Sequence, residues 1–189
     1  MVTSEIVTSE IVTSEIVTTE PTIEQILRRA WEIAEAVPDP ELPVLTLGDL
    51  GILREIGFDG GRLTVSLTPT YSGCPAVAEM RRQVLLRLTA AGFAEVEVRT
   101  MLSPPWSSTM ISADGRRKLA EAGIAPPRSV PQETSSAVPL TLFARGPVVE
   151  CPACGSADTR RTAAFGGTAC KDLYRCGACA EPFEHVKEI

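Results

Sequence analysis

The sequence has no long hydrophobic segment. No stretch of it approaches the roughly 20 apolar residues needed to span a bilayer, and its first residues lack the basic region and apolar core of a secretory signal. We therefore expect a cytoplasmic protein with no membrane partner. In that reducing compartment, paired cysteines are predicted to be metal ligands rather than disulfides.

Basic charge and histidine are also scarce. The 189 residues carry a net charge of −6 and one histidine, His185. An acidic chain is poorly suited to phosphate contacts, so no nucleic-acid partner is expected. The sequence has no phosphate-binding glycine loop and no carboxylate and histidine pattern for a di-iron centre, so nothing in it indicates catalysis by the chain alone.

The first 21 residues repeat a five-residue unit, VTSEI. With a repeat of five residues, the valines and isoleucines do not fall on one side of a helix, nor on one face of a strand. We predict a disordered tail over 1–21. A β-branched edge strand is the alternative, and it would need a partner edge.

Residues 22–124 have the pattern of a small α+β domain. Thr22 with Gln25 three residues later predicts a capping box at the start of an amphipathic helix that ends at Pro38. Further elements follow from apolar alternation, helical spacing and turn residues: a hairpin over 52–67, a helix over 75–91, a strand over 95–102 and a short helix from Ser112 to Gly123.

A proline-rich, polar stretch over 125–139 is typical of a linker. It separates the α+β domain from a cysteine-rich module over 140–189, which a strand over 140–143 is predicted to open. The domain boundary is therefore expected within this stretch.

Five of the six cysteines lie in the C-terminal module, and four of them form two Cys-x-x-Cys pairs: Cys151, Cys154, Cys176 and Cys179. Four thiolates at about 2.3 Å suit a tetrahedral Zn²⁺ ion and leave no open position for water. We predict a four-cysteine zinc ribbon in which the zinc is structural. His185 is not needed as a ligand, and is expected at the surface or in the core.

The fifth cysteine of the module, Cys170, lies outside both pairs. It could displace one zinc ligand, pack nearby as a spare thiol, or help hold an iron–sulfur cluster. The sequence leaves these three roles open.

Cys74 stands alone in the turn SGCP. Pro75 suits the first position of a helix, which would place Cys74 at or next to the N-cap, where free N–H groups and the helix dipole favour a thiolate. A stiff proline-containing loop carrying Asp39 and Glu41 could face it, and thiolate beside carboxylate could hold iron transiently. The alternative is that Cys74 is a small buried residue.

Two segments, DPELPVLTLGDLGI and TPTYSGCP, resemble the iron–sulfur-assembly (SufT-like) domain family. With LSPPW, CPACGSADT and FGGTACKDLYRC, the sequence resembles one branch of it, the PaaD subunits of phenylacetyl-CoA epoxidase systems. The resemblance covers about residues 22–189. It implies an iron–sulfur-assembly-like α/β sandwich followed by the zinc ribbon.

The resemblance also implies a function in aerobic phenylacetate catabolism. Such a subunit would assist maturation or insertion of an iron–sulfur or di-iron centre, with the oxygenase and reductase subunits, and further iron–sulfur assembly proteins, as partners. A non-catalytic scaffold joining oxygenase and reductase is the alternative. The site implied on this chain, able to carry a transient iron or iron–sulfur cluster besides the structural zinc, is Cys74, Asp39, Glu41, Asp49 and Thr70.

Overall fold

The computed structural model describes residues 21–128 and 148–189. The predicted tail up to residue 20, most of the predicted linker and the predicted strand over 140–143 lie outside the described residues. The limits of the domains therefore stay a prediction.

The first part of the chain is a mixed α and β structure. In chain order its elements are α1 (Ile23–Glu35), α2 (Leu47–Leu50), β1 (Leu53–Asp59), β2 (Arg62–Leu67), α3 (Val77–Ala90), β3 (Val96–Thr100) and α4 (Ala113–Glu121). The sheet has the order β1-β2-β3, with β1 antiparallel and β3 parallel to β2. Helices α1 and α3 contact each other, and they pack on β1 and β3 respectively.

Local sequence explains where α1 begins and where the chain turns between β1 and β2. The Gln25 N–H donates to the Thr22 hydroxyl and the Thr22 N–H donates to the Gln25 side chain, which confirms the predicted capping box. The hairpin is also confirmed, and its turn contains Gly60 and Gly61 at φ 58° and 85°, a region that favours glycine.

One apolar core fills the space between the sheet and the helices. It takes the buried face of β2 (Leu63, Val65 and Leu67) and one side of α3, including Val84 and Leu88. The indole of Trp106 closes one end and donates to the Leu50 carbonyl at 2.7 Å. The first domain therefore has a core large enough to fold around.

The second part is a four-stranded sheet in the order β4-β7-β6-β5. Its strands are β4 (Ile124–Ala125), β5 (Thr159–Ala163), β6 (Lys171–Cys176) and β7 (Pro182–Val186). Strand β4 is parallel to β7, and the other pairs are antiparallel. Ala125, placed in the linker on sequence grounds, thus belongs to the ribbon's sheet. The structure confirms the predicted class, an α+β domain followed by a cysteine-rich ribbon.

The two domains pack directly against each other. Val186 of β7 is buried in the core of the first domain, and the Ser108 N–H donates to the Ile189 carbonyl at 3.0 Å. Within 21–128 and 148–189, no helix has the length and apolar character needed to cross a membrane.

Candidate metal centres

The two Cys-x-x-Cys pairs meet at the end of the ribbon. The Sγ atoms of Cys151, Cys154, Cys176 and Cys179 all lie within 4.8 Å of one another. Two of the S–S separations are 3.7 Å (Cys151 to Cys179) and 3.6 Å (Cys154 to Cys176). A tetrahedron with metal–sulfur bonds of about 2.3 Å has edges of about 3.8 Å. The four sulfurs are therefore spaced as ligands of one Zn²⁺ ion.

Backbone geometry preorganises these sulfurs. In the first knuckle, the N–H of Gly155, at φ 71°, donates to the Cys151 carbonyl at 2.8 Å. In the second, the N–H groups of Cys179 and Ala178 point at Cys176 Sγ and lower the pKa of that thiol to about 6. These N–H groups therefore favour the anionic form that a thiol must take as a metal ligand. Four sulfur ligands leave no open position, so the centre suits a structural role.

His185 is a core residue and takes no part in the four-sulfur centre. It is 3% exposed, and its Nδ1 lies 2.9 Å from Asp172 Oδ1, also buried. Its ring packs edge-on against Tyr174. The histidine thus links β6 to β7 within the ribbon's sheet. Of the two predicted positions, surface or core, the structure shows the core.

Cys170 faces away from the zinc centre. It is buried, and it lines a cavity between the two domains together with Cys74. The lining residues are Asp39, Glu41, Leu42, Leu50, Thr70, Cys74, Met80, Trp106, Cys170, Val186 and Ile189. The cavity volume is about 20 Å³, which is room for one water-sized guest and too little for an organic substrate.

The acidic loop is fixed above this cavity by its own backbone. Asp39 Oδ1 accepts the N–H groups of Glu41 at 2.8 Å and Leu42 at 2.7 Å. The Asp39 N–H donates to the Leu45 carbonyl at 2.9 Å. These bonds hold the Glu41 carboxylate 3.8 Å from Cys170 Sγ, so a carboxylate of the first domain and a thiol of the ribbon share one space.

The thiol of Cys74 differs from the sequence prediction. Helix α3 begins at Val77 with Ala76 as its N-cap, so Cys74 precedes the helix rather than capping it. Burial raises the pKa of the Cys74 thiol and the charges of Glu41 and Asp39 raise it further, against a lowering by the Ala76 N–H. In the metal-free site the raised pKa disfavours a thiolate, in keeping with the alternative of a small, partly buried residue.

Asp49 is separate from the other implied site residues. Its Oδ2 accepts the Thr46 N–H at 2.9 Å and pairs with the Lys118 ammonium at 2.8 Å. It caps α2 and ties it to α4, and it is absent from the cavity lining. The structure brings Asp39, Glu41, Thr70 and Cys74 together and places Asp49 outside this cavity, where it contacts Thr46 and Lys118.

Comparison with known proteins gives a consistent result. The chain matches the PaaD zinc beta ribbon domain over residues 135–187 and the iron-sulfur cluster assembly protein family over 30–99. It is 40% identical over 159 residues, 84% of this chain and 91% of the relative, to an Escherichia coli protein named as a putative component of 1,2-phenylacetyl-CoA epoxidase. The chain belongs to the PaaD family.

Two solved structures are also similar to this PaaD-family chain. A DUF59 domain from Bacillus anthracis is 27% identical, with a TM-score of 0.47, over 51% of this chain and 92% of that one. A Mycobacterium tuberculosis protein described as associated with Fe–S complex assembly and repair is 25% identical, with a TM-score of 0.30, over 57% and 94% of the two chains.

The PaaD-family chain therefore has two thiol sites of different chemistry. The four-sulfur centre is closed and purely sulfur. The cavity between the domains is lined by thiols, carboxylates and a hydroxyl, so it offers a mixture of soft and hard ligand atoms. Cys170 belongs to the ribbon, and the one sequence feature that sets its thiol apart from the zinc centre is its position outside both Cys-x-x-Cys pairs.

Proposed function

We propose that this protein is an accessory subunit of a phenylacetyl-CoA epoxidase, acting in the cytoplasm in aerobic phenylacetate catabolism. It assists the maturation or insertion of an iron–sulfur or di-iron centre in the oxygenase or reductase components. It performs no catalysis on the CoA ester itself. The centre being assembled is its cargo, and the zinc ribbon is scaffold.

The observation that carries this proposal is the composition of the cavity between the domains. Cys74, Asp39 and Glu41 face a space of about 20 Å³, which admits an ion and excludes a CoA ester. Thiol and carboxylate together suit iron, because the sulfur is soft and the oxygens are hard. Membership of the PaaD family supplies the epoxidase context.

The test is to mature the epoxidase in cells that produce its other subunits with this protein. We compare wild type, Cys74→Ala and Ser72→Ala, a matched control because Ser72 is an exposed residue of the same turn. The measurements are iron and sulfide per purified oxygenase and reductase, and epoxidase turnover. We expect wild type and Ser72→Ala to give metallated, active enzyme and Cys74→Ala to give metal-depleted enzyme. Full metallation with Cys74→Ala would refute the proposal.

A second candidate function is a scaffold that joins oxygenase and reductase. An exposed apolar surface on α1 and β1 favours it, since Ile23, Trp31 and Phe58 are 67%, 37% and 46% exposed. This function predicts stoichiometric co-purification with both components and indifference to Cys74→Ala. Replacement of Trp31 by Glu would separate the two, because it would weaken co-purification and leave the thiol site intact.

A further inference from the structure

The packing of the two domains brings together the two cysteines that are not zinc ligands. Cys74 lies in the turn before α3 of the first domain, and Cys170 immediately precedes β6 of the ribbon. Both line the same small cavity. Cys170 is only 7% exposed, so its thiol has no role at the outer surface.

Resting on the function proposed above, we propose that Cys170 is a ligand, with Cys74 and Glu41, of a two-thiolate site that takes up one divalent transition-metal ion such as Fe²⁺ as cargo. The site is composite: its first thiol and its carboxylate come from the assembly domain, and its second thiol comes from the ribbon. Neither domain holds the complete ligand set.

The spacing of one pair of ligand atoms supports a shared ion. Among the described residues no three thiol or carboxylate atoms of this cavity lie within 4.8 Å of one another, so the third ligand moves in as the ion binds. Cys170 Sγ and Glu41 Oε2 are 3.8 Å apart. Two ligands at about 2.3 Å (sulfur) and about 2.1 Å (oxygen) from a tetrahedral ion are separated by about 3.6 Å. The cavity admits a guest of that size, because its volume of about 20 Å³ is near that required by one water molecule.

The charges of the surrounding groups also favour a cation. Asp39 and Glu41 line the cavity from the side of the first domain, next to the two thiols. Lys171 of the ribbon follows Cys170 directly, and its ammonium is paired with Glu184 at 2.6 Å. Because Lys171 is paired with Glu184, a divalent ion would balance the charges of the Asp39 and Glu41 carboxylates.

Binding at this site is a ligand exchange without redox change. Each of the two thiols releases its proton to solvent as its sulfur bonds to the ion, and the ion gives up water molecules in return. Because two thiolates and one carboxylate replace four thiolates, the ion is bound less tightly than at the four-sulfur centre. An ion held in this way can be passed on, whereas the ribbon's zinc is retained.

The experiment uses the full chain with zinc in the ribbon, kept reduced and free of oxygen, and titrates it with Co²⁺ as the probe. Cobalt binds thiolates more weakly than zinc does, so it leaves the ribbon occupied. We compare wild type, Cys74→Ser, Cys170→Ser, Cys170→Ala, Glu41→Gln and two controls, Ser72→Ala and Glu55→Gln. Both controls replace exposed residues of the first domain.

We expect wild type and both controls to bind one Co²⁺ with thiolate-to-metal absorption, and cobalt-edge X-ray absorption to give two sulfur neighbours. Each cysteine variant should lose one sulfur neighbour and weaken binding more than about tenfold, and Glu41→Gln should weaken it about tenfold. Zinc content and thermal midpoint report folding of each variant, and Cys170→Ala provides a second substitution if the serine perturbs packing.

The outcomes separate this inference from the function on which it rests. Loss of the second metal with Cys74→Ser and its retention by both Cys170 variants would overturn the role of Cys170 and leave the proposed function standing. Failure of wild type to bind any cobalt beyond the zinc would overturn the metal site. Metallation of the epoxidase, measured in cells with Cys74→Ala, would then decide the proposed function by itself.

Discussion

The two domains of this chain are stabilised by different means. The first buries a continuous apolar core drawn from its sheet and helices. The ribbon's own core consists of Ala125, Val149, Cys151, Tyr174, Cys176 and Phe183, two of which belong to the four-sulfur centre. A core of that size does not offset the entropy of ordering four strands. The comparison leads us to expect that metal binding stabilises the ribbon, and through it the proposed composite site at the domain contact.

The largest effect we expect is from zinc removal. Cys176→Ser, or a strong chelator, should unfold β5 to β7, because metal binding contributes roughly 10–16 kcal/mol in model zinc fingers. Hydrogen exchange followed by mass spectrometry should show loss of protection over 148–189, while β1 and β2 stay protected. Continued protection of β6 and β7 without zinc would show that the ribbon folds without metal, as the first domain does.

A cavity in the core of the first domain should give the next largest effect. Leu88→Ala removes a fully buried side chain of α3 and should lower the free energy of unfolding by about 2–5 kcal/mol in urea. Zinc content should not change. Leu86→Ala is the control on the same helix, because Leu86 is 49% exposed, and it should cost less than about 0.5 kcal/mol. Equal effects of the two would contradict the assigned core.

An ion pair between the buried carboxylate of Asp49 and the partly exposed Lys118 extends the comparison, since polar contacts also hold the first domain together. Asp49→Asn should cost about 1–3 kcal/mol, because it leaves Lys118 and the Thr46 N–H without their charged partner. Asp114→Asn is the control: Asp114 reaches the same Lys118 at 3.0 Å from an exposed position, and a much smaller change is expected there.

The pH dependence of the same pair has a definite sign. Although burial opposes it, hydrogen bonds from Lys118 and Thr46 hold the pKa of Asp49 below its ordinary value. The pair's stabilisation is therefore fully present above the unfolded-state pKa of about 3.9 and is lost as pH falls through the lower folded-state value. Acid titration of unfolding should show this loss in wild type and not in Asp49→Asn.

The smallest expected effect concerns the reactivity of the thiols. With zinc bound, the ribbon's four cysteines should resist iodoacetamide, and Cys74 should react slowly at neutral pH, because its pKa is raised by burial and by the charges of Glu41 and Asp39. Its rate should rise with pH, and Glu41→Gln should shift that profile to lower pH. Peptide mass spectrometry measures each site, and Glu55→Gln is expected to leave the profile unchanged. Fast alkylation of Cys74 at neutral pH would refute the protonated thiol.

The elements that the sequence predicted well are those set by local interactions. The capping box at Thr22, the glycine turn of the hairpin and the two Cys-x-x-Cys pairs each depend on residues a few positions apart. Short-range hydrogen bonds and turn preferences determine such features, so a single sequence contains them. The fold class followed from their order along the chain.

What the sequence did not predict depends on contacts between distant segments. The pairing of Asp49 with Lys118 and the approach of Cys170 to Glu41 are set by how helices and domains pack. The start of α3 relative to Cys74 was predicted two residues too early for a different reason. Proline at the first helical position is a preference, and here α3 starts two residues after Pro75.

Strand β4 has a consequence for how the protein can be divided. Ile124 and Ala125 follow α4 directly and already pair with Glu184 and His185 of β7. The chain is thus attached to the ribbon before residue 129. We therefore expect the position of the ribbon on the first domain not to depend on the length of 129–147. Shortening or extending the chain there should leave the ribbon in place, and cutting it there should give two pieces that stay assembled.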